Sequence, residues 1–487
     1  MESLYNLLAE IVLMIKSSPE DKEPQCLELS YEQELIDHVR GILNPWREVL
    51  YRAAVIGLPR EAYGDILAKI REENNYYSCR ILLCEIDANF LVDWEQIVTT
   101  DGAMGFASLN TNVDTTGVLI LPKVSGPKTT RRHYDEDQNE ELVPRKTANE
   151  WNDNLNELLG SFYYVLKQDL GDYTLRNYVC DFAYNDTDKK ELKVGLSPLW
   201  NLPSGSLLKY NDNIVDYNEA GDKCRYFGEI EINKPEEVLM RFRQSFKLAC
   251  ENNVDIFMCP EMLGVQNLYD IDSCGFNDEM HRLSKEEKRK NVPQLTIAPT
   301  LWKNNSNLAH VYLHSGRMLC AQYKQHKYRL NGKDGARLEH LKDAPKEICI
   351  IHVPQWGRIT IPICIDFIYE AYRGLLVKIL KTDILLCPSF SSGQKNFLQA
   401  IDSYAEFGVY AIWLNACSAL SKCETDVPKI VGAACAPTVS SKSRIERLTP
   451  TCNGACQGCL FVVTIPLNCM GEEPYEDVGV TVVHISA

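Results

Sequence analysis

The sequence predicts an α/β domain over 191–487, preceded by a mainly helical domain over 1–190. Two observations carry the first part. Short apolar runs of strand length recur after residue 190, at 192–199, 254–262, 295–300, 310–313, 348–353, 359–367, 383–389 and 409–416. Helical stretches near 369–381 and 394–407 separate the last three, and alternating strands and helices imply a sheet with helices on its faces. A third observation carries the second part: before residue 190 the apolar positions recur mostly at helical spacing between polar breaks.

Taken in order, Leu4, Leu7, Leu8, Ile11, Val12 and Ile15 mark an amphipathic first helix. Tyr31–Ile42 is a second candidate, and Trp46–Ile56 a third, after the Asn44-Pro45 break. Pro59 before Arg60-Glu61 opens a fourth, because Pro suits a first helical turn. Gly117–Val124 reads as a strand, Ser125–Lys146 as a polar linker and Glu150–Asp169 as a helix. The acidic run at 134–141 reads as a solvated part of that linker. In the second domain, Pro235–Asn252 is an amphipathic helix that leads into the strand ending VDIFMCPE.

The chain of 487 residues is long enough for two or three domains of about 150 residues. Its 51 Lys+Arg against 67 Asp+Glu give a formal charge of −16. That balance argues against nucleic acid as the partner, because neutralising phosphates needs clustered cations. Glu2 precedes the N-terminal apolar run and Glu10 interrupts it, which fits neither a signal peptide nor a spanning helix. A soluble, cytoplasmic protein without a membrane partner is expected. The 19 cysteines are then reduced thiols that serve as packing, as metal ligands or as a nucleophile.

Three polar residues stand at or near the ends of apolar runs: Glu261 after VDIFMCP, Lys327 in QYKQHKYRL and Cys364 in RITIPICIDF. A carboxylate, an ammonium and a thiol make a workable nucleophilic set. The carboxylate takes the thiol proton, the sulfur attacks a carbonyl or nitrile carbon, and the ammonium stabilises the oxyanion. Composition does not single these three out from the other cysteines and carboxylates.

Resemblance does. The segments DIFMCPE, SGRMLCAQYKQHKYRL and Cys364-Ile365-Asp366 occur in the order and context of the motifs of the nitrilase superfamily, the carbon–nitrogen hydrolases. NSNLAHVYLHSGR and QAIDSYAEFGVYAIWLN resemble flanking segments of that family. Each motif is weak alone; the three in order are specific. The resemblance covers the second domain only. It implies an αββα sandwich, with Glu261 as general base, Lys327 as oxyanion stabiliser and Cys364 as the nucleophile that forms a thioester. It also implies the Ile365 N–H as a second oxyanion donor and Glu339, in GARLEHL, as a further site carboxylate. Lys324 is the rival for the lysine role. Cys-Ile-Asp is closer to the amidase and carbamoylase branches than to the nitrile hydrolases, so the implied substrate is a small amide or carbamoyl compound. No cofactor or resident metal is implied, and a homo-oligomer, dimeric or larger and including filaments, is.

Other readings stay open. The thioester can pass to an amine acceptor, which makes a transferase. The domain can also act as a sensor, scaffold or effector in a multiprotein system, antiphage defence among them, through residues 1–190. Cys452, Cys456 and Cys459 have a spacing that can bind metals and that better suits a Gly/Cys-rich turn. Cys259 and Cys387 read as core.

Overall fold

In a computed structural model of the chain, the described residues are 1–21, 33–73, 75–90, 103–124, 126–127, 155–180, 182, 189–199, 208–217, 221, 223–265, 275–286, 291–332, 335–422, 430–437, 445–450, 459–467 and 479–486. The acidic run at 134–141, Cys452 and Cys456 lie outside them. The chain forms two compact units. One comprises Met1–Ser125, His133–Tyr184 and His352–Pro354; the other comprises Gly126–Arg132, Asn185–Ile351 and Gln355–Ala487.

Among the described residues the first unit is mainly helical through residue 90, as its spacing predicts, with helices Leu4–Ser17, Gln33–Leu43, Arg47–Ile56, Arg60–Glu73 and Tyr76–Phe90. Ser3 caps the first helix, its Oγ accepting the Tyr5 N–H at 3.2 Å. The helical stripe Leu4, Leu7, Leu8, Ile11, Val12 and Ile15 is buried in the core. The helix expected over Glu150–Asp169 is not there. Among the described residues a single turn, Leu155–Leu158, precedes the strand Phe162–Leu166, which pairs antiparallel with Val118–Pro122. The run FYYVL is aromatic and β-branched, and a pleated surface suits such side chains better than a helix.

The second unit is α/β, as expected. In one sheet the strands Leu301–Lys303, Ser306–Leu313, Leu295–Ile297, Ile256–Met258, Glu191–Leu196, Cys459–Pro466 and Thr481–Ser486 lie in that order. Met318–Tyr323 pairs off Ser306–Leu313. A second sheet includes Gly357–Thr360, Ile384–Ser389 and Tyr410–Asn415, which are parallel, followed by Gly432–Cys435 and Ile445–Leu448, which are antiparallel. A smaller sheet, not foreseen from the sequence, orders Arg329–Gly332, Gly335–Glu339, Lys223–Ile232 and Leu208–Tyr217.

The helix Pro235–Glu251 turns Val238, Phe242, Phe246, Ala249 and Cys250 inward, the period of one helical face. Phe242 meets Phe276 at 4.7 Å, Phe257 at 5.8 Å and Phe246 at 5.9 Å between ring centroids. Helix Lys395–Glu406 buries Phe397, whose ring stacks on Trp413 at 4.7 Å. Cys259 and Cys387 are fully buried, and Cys259 belongs to the core around Phe242. No described helix is long and apolar enough to cross a membrane.

Phe242 sits at the centre of this aromatic cluster with no solvent exposure. Phe242→Ala is expected to destabilise the second unit by about 3–5 kcal/mol, read as a lower denaturation midpoint at unchanged slope.

Candidate active site

Glu261 stands just past the strand Ile256–Met258, where the chain turns sharply. Its own N–H donates to the Ser389 carbonyl at 3.3 Å, and Met262 after it takes a φ of 63° with its N–H on Thr300 Oγ1 at 2.8 Å. Gly264 completes the turn against residue 300: a Cβ there would lie 2.6 Å from the Thr300 carbonyl oxygen, so only glycine fits. Glu261 Oε2 accepts the Phe390 N–H at 2.9 Å. Oε1 accepts from Asn307 Nδ2 at 2.9 Å and from Lys324 Nζ at 2.7 Å.

The lysine of the cluster is Lys324, not Lys327. Met318–Tyr323 ends one residue before it, and the Lys324 N–H donates to the Asn307 carbonyl at 2.8 Å. The Lys324 ammonium lies 2.7 Å from Glu261 Oε1 and 2.7 Å from Glu339 Oε2, and all three side chains are without solvent exposure. Lys327, beyond the turn, instead places its ammonium 5.6 Å from the centroid of the Tyr226 ring.

Glu339 also lies in the cluster. Its Oε2 also accepts the Tyr328 N–H at 3.1 Å, and its Oε1 accepts from Asn307 Nδ2 at 3.3 Å. Glu339 ends a strand that pairs in parallel with Lys223–Ile232, with Glu339 opposite Phe227. The His340 N–H on the Phe227 carbonyl, at 2.9 Å, extends that ladder by one residue.

Cys364 lies beyond the strand, which ends at Thr360, and directly before the short helix Ile365–Ile368. Its φ of 52° and ψ of −107° are unusual for a residue with a Cβ, and such a conformation stores about 1–3 kcal/mol. The Cys364 N–H bonded to the Pro388 carbonyl at 2.9 Å, and the Phe367 N–H on its own carbonyl at 3.1 Å, hold the elbow in place. Its thiol is 4% exposed as a residue and is held well above the ordinary thiol range, first by burial and next by the charge of Glu261; Lys324 pulls the other way.

The charges are mutually tuned. Burial opposes the Lys324 charge, but Glu261, Glu339 and Cys364 outweigh it and keep the ammonium protonated far above neutrality. The Glu339 carboxyl is raised by burial, against the pull of Lys324. The same charges reach the Tyr328 phenol, which burial and Cys364 raise.

Sequence reasoning assigned no role to Asn307, Tyr328 or Asp366. Asn307, fully buried, donates to both carboxylates, while its Oδ1 has no hydrogen-bond partner among the described residues. The signal lay in the segment NSNLAHVYL, where an asparagine opens an apolar strand. Among the described residues no group of three or more His, Cys, Asp and Glu side chains is placed to hold a metal ion. Cys459 Sγ lies 2.9 Å from His484 Nε2 on the neighbouring strand.

No family model and no curated protein matches this sequence. Solved structures resemble it in its C-terminal part. Nit3 of Saccharomyces cerevisiae, a member of branch 10 of the nitrilase superfamily, is 11% identical over 54% of this chain and 92% of its own, with a TM-score of 0.33. The amidase from Nesterenkonia sp. AN1 in complex with acrylamide is 12% identical over 57% of this chain and 92% of its own, with a TM-score of 0.37. The glutamine-dependent NAD+ synthetase from Acinetobacter baumannii is 10% identical over 59% of this chain, which spans 49% of that protein, with a TM-score of 0.35.

Two outcomes test the cluster. Lys324→Met leaves two carboxylates buried without their cation and is expected to cost about 3–5 kcal/mol of stability; Lys327→Ala is expected to cost about 1 kcal/mol or less, the size of an exposed cation–π contact. Denaturant midpoints of the two variants compare them directly. Because the Cys364 thiol is raised, its alkylation by iodoacetamide is expected to climb through pH 9 and beyond; a rate that levels off near neutrality would instead mean a preformed thiolate.

Proposed function

We propose that the second unit is a thiol hydrolase that cleaves a non-peptide carbon–nitrogen bond of amide or carbamoyl type through a thioester on Cys364. One observation carries the reading. A buried carboxylate–ammonium–carboxylate cluster, Glu261–Lys324–Glu339, adjoins a thiol held at a positive-φ elbow.

The chemistry follows from the donors. Cys364 Sγ attacks the carbonyl carbon, its proton passes to Glu261, and the carbonyl electrons move onto oxygen. An ammonium has three N–H groups, and Lys324 directs two at Glu261 and Glu339. The third serves the oxyanion, together with the Ile365 N–H, the first of a helix and so without an intrahelical acceptor. As the tetrahedral species collapses, the C–N bond breaks and Glu261 hands its proton to the leaving amine. Water, deprotonated by Glu261, then attacks the thioester and releases the acid and the free thiol. Asn307 and Glu339 fix the ammonium and the Glu261 carboxylate in register, so that neither has to reorganise during the reaction.

Cys-Ile-Asp at the nucleophile supports an amide over a nitrile. A panel of short amides, carbamoyl compounds and nitriles, followed by ammonia release and by intact mass after acid quench, tests the reading. An acyl adduct on Cys364 and ammonia from amides are expected. Glu261→Gln is expected to lose about 10²–10⁴ in rate, the share of a general base. Turnover that survives Cys364→Ala rules the mechanism out, and turnover only in the presence of an added amine redirects it to acyl transfer.

A further inference from the structure

Asp366 follows Cys364 by two residues and is 1% exposed. A carboxylate buried that far needs full hydrogen bonding, and all its described partners come from the segment that carries Lys324. The Gln325 N–H reaches Asp366 Oδ2 at 3.0 Å and Oδ1 at 3.2 Å, and the His326 N–H reaches Oδ1 at 2.8 Å. His326 Nδ1 also lies 2.8 Å from Oδ1. The imidazole is then seated on the nucleophile's own segment: its ring centroid is 4.0 Å from that of Tyr369 and 5.3 Å from that of Tyr372. One side chain thus fastens the two residues after the lysine to the helix that begins beside the cysteine.

We infer that Asp366, with His326 as its partner, is a positioning residue that sets the distance between the Cys364 thiol and the Lys324 ammonium. The inference deepens the proposed reaction and rests on it for its functional meaning. Neither residue touches the reacting atoms. The pairing matters because nothing else described ties these two elements together so directly: Lys324 arrives from Met318–Tyr323 in one sheet, and Cys364 follows Gly357–Thr360 in the other. A bidentate acceptor for two consecutive N–H groups fixes the rotation of the chain at 325–326 as well as its distance, and so the direction in which residue 324 points. A carboxamide cannot reproduce it, because one of its ends is a donor facing a donor.

The test is the pH profile of Cys364 alkylation by iodoacetamide, followed by peptide mass spectrometry on the full chain, for the wild type, Asp366→Asn and His326→Gln. Lys324 lowers the thiol pKa, so drawing it away moves the half-maximal pH upward. Asp366→Asn is expected to raise that midpoint by about one pH unit and so to slow labelling at a fixed pH below both midpoints by about 10-fold, the loss of thiolate that one pKa unit brings. His326→Gln keeps both backbone contacts and is expected to shift it less, in the same direction. It also serves where Asp366→Asn does not fold. A variant that loses thermal stability but keeps the wild-type midpoint and rate overturns the inference. Turnover that survives Cys364→Ala counts against the proposed reaction instead, and the midpoints still decide the clamp.

Discussion

The Lys324 ammonium, held at 2.7 Å from each of two carboxylates and wholly removed from water, is the constraint around which the second unit is arranged. Taking one ion out of water costs several kcal/mol even after the protein relaxes, and three are buried here. Such a cluster persists only if its geometry is near ideal and its remaining lone pairs are satisfied. They are: Phe390 and Tyr328 give backbone N–H groups to Glu261 and Glu339, and Asn307 divides its amide between them. Each donor comes from a different part of the chain, so the strands, turns and loops that deliver them share a common requirement.

That requirement accounts for features that are otherwise unconnected. Ser389 ends a strand of one sheet, and its carbonyl receives the N–H of Glu261, which follows a strand of the other. Ser389 Oγ is in turn held by Trp413 Nε1 at 2.7 Å, and Asn415 clamps Ser391 through 2.8 and 2.7 Å bonds, so the Phe390 N–H between them has little freedom to turn away. The positive-φ residues Met262 and Cys364 lie beside the same junction. Their strain is local, and the hydrogen bonds on either side of each overdetermine it.

The parts of the site that were legible in the sequence came from resemblance to ordered family motifs rather than from local pattern alone: DIFMCPE pointed to Glu261, and Cys364-Ile365-Asp366 to Cys364. Two things were not legible. The choice between Lys324 and Lys327 depends on where Met318–Tyr323 stops, and that is set by its ladder with Ser306–Leu313, in which Tyr323 stands opposite Leu308. Periodicity in KQHKYR carries no trace of where a partner strand ends. The support beneath Glu339 is equally hidden. Phe227, its partner in the parallel ladder, lies 339 − 227 = 112 residues earlier in a hairpin whose sequence alternates too weakly to announce itself. In the first unit the helices were read from their apolar stripe, whereas FYYVL was misread because an aromatic run of strand length fits either template until its partner is known.

The buried charges also dictate how a thiol can react at this place. Burial first, and the charge of Glu261 next, hold the Cys364 thiol well above its ordinary range, so a resting thiolate is disfavoured in this desolvated volume. A cysteine beside a histidine cation escapes this, since its thiolate is born opposite a positive charge. Under the proposed reaction, proton transfer to Glu261 and attack on the electrophilic carbon would therefore proceed together, which would leave the remaining Lys324 N–H for the oxygen on which the charge collects.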